Sequence, residues 1–257
     1  MFCKLCLEEK TLRLSHSIPK AYFKRVKSNG KTVVINENGH STDGSFDPKE
    51  LMLCGDCEAL LSKSYEDYGI KVLRTRGNVS KQKDHITVKN VNYKKFYLFL
   101  LSIFWRVSVS ELKYYKTVGD LSKLSKSMRY SILNGTMKIN ETERIKIDEL
   151  VKIRIYRVID TTGFIPEDCI KGMLSNFSLN VDESNQAVIW YFVVEGFLII
   201  YTFLIGKDIH QFRYTRLESQ LTDTKVQKFF KADIKNSKLL LDLYRNLLLS
   251  FSDSKKN

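Results

Sequence analysis

Two Cys-x-x-Cys pairs constrain what this chain can fold into more than any other feature. Cys3 and Cys6 stand at its start, and Cys54 and Cys57 follow after a long intervening segment. Four thiolates in two short knuckles are the ligand set of a structural, tetrahedral zinc site. A redox-active pair would instead sit at a strand-to-helix turn of a βαβ unit, and no such pattern surrounds Cys3. The four cysteines therefore predict one structural Zn²⁺ site.

The charge of the chain favours a polyanionic partner. The 257 residues carry a formal net charge of +13, and 43% of them are hydrophobic. That hydrophobic content is typical of a globular protein of one large or two small domains. An excess of lysine and arginine favours nucleic acid ahead of a membrane surface. A lysine-rich proteome would give the same excess, so the charge alone decides little.

The cysteine count also bears on the compartment. Cys169 is a fifth, unmatched cysteine, which we expect to be a small buried hydrophobic residue. An odd number with two zinc-type pairs does not fit a disulfide framework and fits a reducing cytoplasm. The first residues, Met-Phe-Cys-Lys, lack the apolar stretch of a secretion signal. We therefore expect a cytoplasmic protein.

The apolar segment 187–206 is long enough to span a bilayer. However, Glu195-Gly196 lies at its centre, where an ionised side chain is costly in lipid. Its Val, Ile, Tyr and Phe residues favour strands. The segment predicts two buried strands joined by a tight turn at Glu195-Gly196, and no membrane partner. A membrane-associated protein is an alternative that rests on this segment alone.

The chain divides by pattern into three parts. Residues 1–70 hold the paired cysteines, a short strand at 31–35 and a helix over 58–66 that ends near Gly69. Turn signals in this part are Asn29-Gly30, Asn38-Gly39 and Asp43-Gly44. Residues 71–92 are polar and basic, and they predict a linker or an arm lying along a phosphate backbone.

Residues 93–257 predict a second domain of mixed α+β structure. The expected elements are helices at 94–107, 122–133, 223–232 and 237–251 and a strand at 151–159, beside the apolar hairpin. We expect this domain to supply target contacts, a surface for a protein partner, or homo-oligomerisation.

One histidine lies in an unusual context. His16 follows the first knuckle in the run Ser15-His16-Ser17-Ile18-Pro19-Lys20, and Ile18-Pro19 would turn the chain out of a strand. A helix with carboxylates follows the second knuckle. A single histidine is more often structural, but here the chain resembles the HNH endonuclease family. That family combines a Cys-x-x-Cys pair, a histidine followed by Ile and Pro, and a second pair entering a helix.

The resemblance covers about the first 70 residues, and it extends to an uncharacterised bacterial subgroup with Ser-His-x-Ile-Pro-Lys, some of it met in antiphage settings. It implies a treble-clef, ββα-metal domain that hydrolyses phosphodiester bonds of nucleic acid, with DNA favoured over RNA. His16 would be the general base, and Mg²⁺ or Mn²⁺ would hold the scissile phosphate. Glu58 stands where the family has its last metal ligand. Glu66 lies two turns further along the same helix, where it could support the catalytic metal or a ligand of it.

Two positions depart from the family pattern. Ser15 stands where the family often has an aspartate ligand, and the asparagine that buttresses the histidine is missing, with Lys49 and Glu50 near its place. These departures favour the alternative, a non-catalytic zinc-finger module that binds nucleic acid or a protein partner.

A basic and aromatic run follows His16. It contains Lys20, Lys24, Arg25 and Lys27, with Tyr22 and Phe23 between them. Such a run suits a surface that follows phosphates, although a solvated face would look the same. Lys63 resembles a lysine that the family carries on its helix, and it is a further candidate phosphate contact. His40, His85 and His210 lack partners at ligand spacing and are expected to be structural or exposed.

Overall fold

The computed structural model describes residues 1–23, 34–35, 41–42, 48–74, 78–115, 121–175, 177–182, 187–204 and 209–253. Its strands are Leu12–His16 (β1), Val34–Ile35 (β2), Ser41–Thr42 (β3), Lys49–Cys54 (β4), Val79–Lys81 (β5), His85–Val88 (β6), Lys152–Ile159 (β7), Leu174–Ser175 (β8), Ser178–Asp182 (β9), Ala187–Val194 (β10), Phe197–Leu204 (β11) and Gln227–Asp233 (β12). Its α-helices are Gly55–Leu61 (α1), Asp67–Arg74 (α2), Tyr93–Val109 (α3), Ser122–Leu133 (α4), Ile147–Leu150 (α5), Glu167–Gly172 (α6), Ile209–Tyr214 (α7) and Lys238–Asp253 (α8). A π-helical segment, Ser62–Glu66, joins α1 to α2. The described chain is therefore of mixed α+β class.

The N-terminal part is a two-stranded sheet followed by a helix. β1 pairs antiparallel with β4, which places Leu12 opposite Cys54 and His16 opposite Lys49. α1 begins directly after Cys54, so the second cysteine pair leads into the helix as predicted. The helix then continues beyond the predicted end at Gly69 to Arg74. A Cβ on Gly69 would lie 2.0 Å from Cδ1 of Phe99, so this glycine lets α2 approach α3 and does not end the helix.

The remaining strands form one large sheet around the predicted hairpin. β10 and β11 pair along their full length, from Ala187 opposite Leu204 to Val194 opposite Phe197. Glu195 and Gly196 have φ angles of 51° and 74°, and a two-residue hairpin turn of type I′ requires a positive φ at both of these positions. The predicted hairpin is confirmed. Within the described residues, no helix has the length and apolarity needed to cross a membrane.

The apolar helix α3 packs against this sheet. Its N-cap is Asn92, whose side chain accepts a hydrogen bond from Lys95 N at 3.1 Å. Phe104 stacks on Tyr201 of β11 with ring centroids 4.7 Å apart, and it meets Trp190 of β10 edge-on at 5.3 Å. The predicted buried helix is confirmed. The predicted helices α4 and α8 and the predicted strand β7 are also confirmed, and α4 ends before Asn134-Gly135 as expected.

One prediction of secondary structure is wrong. Residues 223–232 were expected to be helical, but Gln227–Asp233 is the strand β12, which pairs parallel with β7 and antiparallel with β6. The segment 71–92, predicted to be a linker or an arm along a phosphate backbone, contains the end of α2 and the strands β5 and β6. Since β6 pairs with β12, these strands join the large sheet.

The core does not break at the predicted domain boundaries. One cluster of buried residues extends from Leu5 and Met52 through Phe99 to Ile199 and Phe229. Division into domains at residues 70 and 92 stays a prediction. Val34–Ile35 is a strand as expected, while the predicted turns at 29–30, 38–39 and 43–44 lie outside the described residues.

Candidate metal centre and the His16 segment

The two cysteine pairs come together as a compact cluster. The Sγ atoms of Cys3, Cys6, Cys54 and Cys57 all lie within 4.8 Å of one another, and Cys6 Sγ is 3.9 Å from Cys54 Sγ. Zn–S bonds of about 2.3 Å in a tetrahedral site separate the sulfurs by about 3.8 Å. The cluster can therefore hold a metal ion such as zinc, which is what the sequence predicted of these four residues.

The local environment makes the four thiols unequal. Burial acts to raise the pKa of Cys3, but hydrogen bonds from the backbone N–H groups of Cys54, Cys6 and Leu5 outweigh it and lower that pKa to about 7. Burial, reinforced by the neighbouring thiols, raises the pKa of Cys57. A thiol cluster of this kind is difficult to ionise fully without a cation, so we expect metal binding to displace protons.

The first knuckle is anchored to the helices behind it. Arg129 of α4 donates through Nη1 to the carbonyl oxygen of Leu5 at 3.0 Å. Lys4 donates through Nζ to the carbonyl oxygen of Val109 at 2.7 Å and pairs with Glu111. The cysteine cluster is thus tied to α3 and α4 as well as to its own strands.

His16 is the last residue of β1. Its imidazole is partly exposed, and its ring centroid lies 5.9 Å from that of Phe23. Its carbonyl oxygen accepts a hydrogen bond of 2.9 Å from Nη1 of Arg106 on α3. Lys49 occupies the position opposite His16 on β4.

The neighbours of His16 serve local structure. Ser15 is buried, and its hydroxyl donates to the carbonyl oxygen of Arg13 at 3.3 Å. Glu50 accepts hydrogen bonds from the hydroxyl of Ser110 and, at 3.0 Å, from the N–H of Glu111. Glu50 therefore fixes the chain just after α3.

The two candidate carboxylate ligands differ in their surroundings. Glu58 lies on α1, and its Oε1 atom is buried with no hydrogen-bond partner among the described residues. Glu66 ends the π-helical segment, and its Oε1 lies 2.7 Å from Nη2 of Arg106. Of the two carboxylates, Glu58 is therefore the one whose buried oxygen a metal cation could still compensate. Glu66 is already paired with the guanidinium of Arg106.

Only part of the predicted basic surface falls within the described residues. Lys20 and Lys63 are exposed, as a phosphate contact requires, whereas Lys24, Arg25 and Lys27 lie outside the described residues. Tyr22 and Phe23 are buried in the core, so they do not form a stacking surface for bases. The aromatic half of the predicted run is therefore structural.

Two other expectations meet different outcomes. Cys169 is exposed and not buried, because it lies in the short helix α6 at the surface. His85 contacts Asp84 through Nδ1 at 2.8 Å, which fits its expected structural role. His40 lies outside the described residues.

Arg106 is the residue near His16 that the sequence analysis missed. It is the one charged residue between Phe96 and Val109 in an otherwise apolar run. Since an unpaired charge is rarely buried, this isolated arginine was a signal that a carboxylate or carbonyl partner would meet it.

The comparisons with known proteins give no relative. No protein-family model matches the chain, and no curated protein or solved structure does so either.

Proposed function

We propose that the chain is a metal-dependent nuclease of the HNH type, with a structural zinc on the four cysteines and His16 as general base. The order of elements supports this proposal: a knuckle, a strand ending in His16, a returning strand, a second knuckle and a helix. That is the order of a treble-clef, ββα-metal domain. The basic charge of the chain is consistent with a nucleic-acid substrate.

The observation that carries the proposal is the buried Oε1 atom of Glu58. Burying a carboxylate oxygen without a partner is costly, and Oε1 of Glu58 is such an atom. A hard divalent cation such as Mg²⁺ or Mn²⁺ takes carboxylate oxygens as ligands and fills its other positions with water and substrate phosphate. Glu58 also lies on the helix that follows the cysteine cluster and packs against β1.

In the proposed reaction the chain's own residues supply the base and the electrostatic environment. His16, when neutral, accepts the proton of the water that attacks phosphorus, and its partial exposure gives water access. Glu58 would hold the cation, which would supply charge stabilisation at the phosphate and the leaving oxygen. Lys20 and Lys63, both exposed, would neutralise backbone phosphates near the scissile bond.

The test is a titration of the zinc-loaded protein with Mn²⁺, in which the electron paramagnetic resonance signal of free Mn²⁺ measures how much of the ion is bound. We expect one Mn²⁺ site per chain that is lost in Glu58→Gln. Asp67→Asn is the matched control, since Asp67 is an exposed carboxylate on the same helical run. The proposal fails if the wild-type protein binds no Mn²⁺, or if both variants bind it as the wild type does.

A second candidate function is a non-catalytic zinc module that binds nucleic acid or a protein partner. The observation that favours it is Lys49, which stands opposite His16, near the place where the family would have its buttressing asparagine. A buried Ser15 whose hydroxyl bonds to Arg13 also departs from a ligand role. Tight, salt-sensitive binding of DNA without cleavage under any divalent cation would favour this candidate.

A further inference from the structure

Arg106 is a buried charge in the apolar helix α3. Its side chain is 3% exposed, and its helix neighbours are the aromatic and aliphatic residues that pack on the sheet. Placing a guanidinium in such surroundings costs free energy unless its donors are used. The groups that contact the guanidinium of Arg106 therefore indicate what this buried arginine does in the structure.

The three nitrogens of Arg106 reach three different parts of the chain. Nε donates to the carbonyl oxygen of Ser102 at 3.2 Å, which fixes the side chain to its own helix. Nη1 donates to the carbonyl oxygen of His16 at 2.9 Å. Nη2 lies 2.7 Å from Oε1 of Glu66, as an ion pair without a well-aligned N–H. One planar group thus joins α3, the end of β1 and the π-helical segment.

The hydrogen bond from Arg106 to the His16 carbonyl lies at the end of the pairing between β1 and β4. The pair His16 and Lys49 is the last one between β1 and β4, so the peptide after His16 leaves the sheet. The hydrogen bond from Arg106 fixes the carbonyl of that peptide. This contact therefore constrains the backbone of His16, from which the imidazole projects.

We propose that Arg106 is the positioning residue of the His16 site and that Glu66 is its counter-ion, not a ligand of the catalytic cation. The catalytic consequence rests on the proposed nuclease function, while the positioning of His16 does not. A lysine would keep the charge, but it has a single nitrogen and cannot hold Ser102, His16 and Glu66 together. π-Helical segments such as Ser62–Glu66 are frequent at functional sites, and this one brings Glu66 to Arg106.

A second arginine provides a matched control. Arg74 at the end of α2 also pairs with a glutamate, Glu195, and donates to a backbone carbonyl, that of Ala21 at 3.0 Å. It holds the chain five residues after His16 rather than at His16 itself. Arg74→Lys therefore removes a similar set of contacts without touching the His16 peptide.

The experiment compares Arg106→Lys, Glu66→Gln and Arg74→Lys in the full-length, zinc-loaded protein. The positional readout is the ring signal of His16 in protein with ¹³C-labelled histidine at one fixed pH, assigned with His16→Gln. The functional readouts are kcat and KM for cleavage of a DNA duplex with Mn²⁺. Zinc content and the unfolding midpoint show whether each variant is folded.

We expect Arg106→Lys to move the His16 signal, to leave the His85 signal in place, and to lower kcat by about 10- to 100-fold with KM within about twofold. Arg74→Lys should lower the unfolding midpoint but leave the His16 signal in place. Glu66→Gln should move the His16 signal less than Arg106→Lys, because the bond to the His16 carbonyl remains.

An unchanged His16 signal and kcat in folded Arg106→Lys would overturn the inference, and so would an equal displacement in Arg74→Lys. If Arg106→Lys does not fold, Glu66→Gln decides, and an unmoved His16 signal in that variant overturns the inference. If the wild-type protein cleaves nothing, the proposed function has failed, and the His16 signal alone still tests the positioning role.

Discussion

Arg74 and Glu195 join the segment after His16 to the tip of the central hairpin. Nε of Arg74 donates to Oε1 of Glu195 at 2.7 Å, although the two residues are 121 positions apart in the sequence. Glu195 is buried and has a φ of 51°, a left-handed conformation that is unfavourable for a residue with a Cβ. The guanidinium also lies over the ring of Tyr22, 5.6 Å from its centroid. The strained tip is therefore held by a residue that also holds the chain at Ala21, five residues after His16.

We expect the Arg74–Glu195 pair to contribute to stability as a coupled unit. Breaking a buried pair costs about 3–5 kcal/mol, and Arg74 is 31% exposed, so we expect about 2–3 kcal/mol for Arg74→Met or Glu195→Gln. The double variant should lose clearly less than the sum of the two single losses. Urea unfolding of all four proteins measures this. Strictly additive losses would show that the two side chains do not interact.

Gly69 is expected to be intolerant of a methyl group. Since its Cβ would lie 2.0 Å from Cδ1 of Phe99, Gly69→Ala must push α2 away from α3, at about 1–3 kcal/mol. A second change, Phe99→Leu, should recover part of that loss by making room. Thermal unfolding of the single and double variants checks both effects. A Gly69→Ala protein as stable as the wild type would contradict the close helix packing.

We expect one Zn²⁺ per chain in the purified protein. Serine at Cys3, Cys6, Cys54 or Cys57 should release the metal and destabilise the N-terminal part, because metal binding is folding free energy in small zinc sites. Cys169→Ser is the control, since Cys169 is exposed and outside the cluster, and it should keep both zinc and stability. Elemental analysis and thermal unfolding give the two readouts. Folded wild-type protein without zinc would contradict this expectation.

The elements that could be predicted are those that a short stretch of sequence identifies by itself. The hairpin over β10 and β11 was predictable because a long apolar run is interrupted by one residue pair, Glu195-Gly196, that suits a turn. The cysteine cluster was predictable because two Cys-x-x-Cys pairs are typical of one shared metal site. In both cases the signal lies within a few adjacent residues, namely the Glu195-Gly196 pair and the spacing within each cysteine pair.

The elements that were missed depend on distant partners. β12 contains Lys, Gln and Ala, which favour helices, and becomes a strand because β7 and β6 flank it on both sides. The role of Glu66 was assigned from its helix position, whereas its partner Arg106 lies 40 positions further along and meets it only through the packing of α3. Local pattern cannot report such contacts.

Nucleic-acid binding should depend on phosphate contacts near His16. Replacing Lys20, Lys24 and Arg25 together by glutamine should reduce the slope of log K against log salt by about 2–3, at about 0.9 per phosphate contact on duplex DNA. Glutamine at Lys225, Lys228 and Lys238, three exposed lysines beside β12 and α8, makes the same change in net charge and should leave the slope unchanged. Equal slopes for both triple variants would indicate that binding follows net charge and not this surface.

The most direct measurement of the central proposal is cleavage of supercoiled plasmid DNA by zinc-loaded protein with and without Mg²⁺ or Mn²⁺. The proposal predicts nicking that requires the divalent cation and that falls by about 10²–10⁴-fold in His16→Ala, with zinc content and unfolding midpoint retained, because the water's proton then has no acceptor. Glu58→Ala should raise the cation concentration needed for half-maximal rate. Cleavage that persists unchanged in His16→Ala would contradict the account, and so would tight DNA binding with no cleavage under either cation.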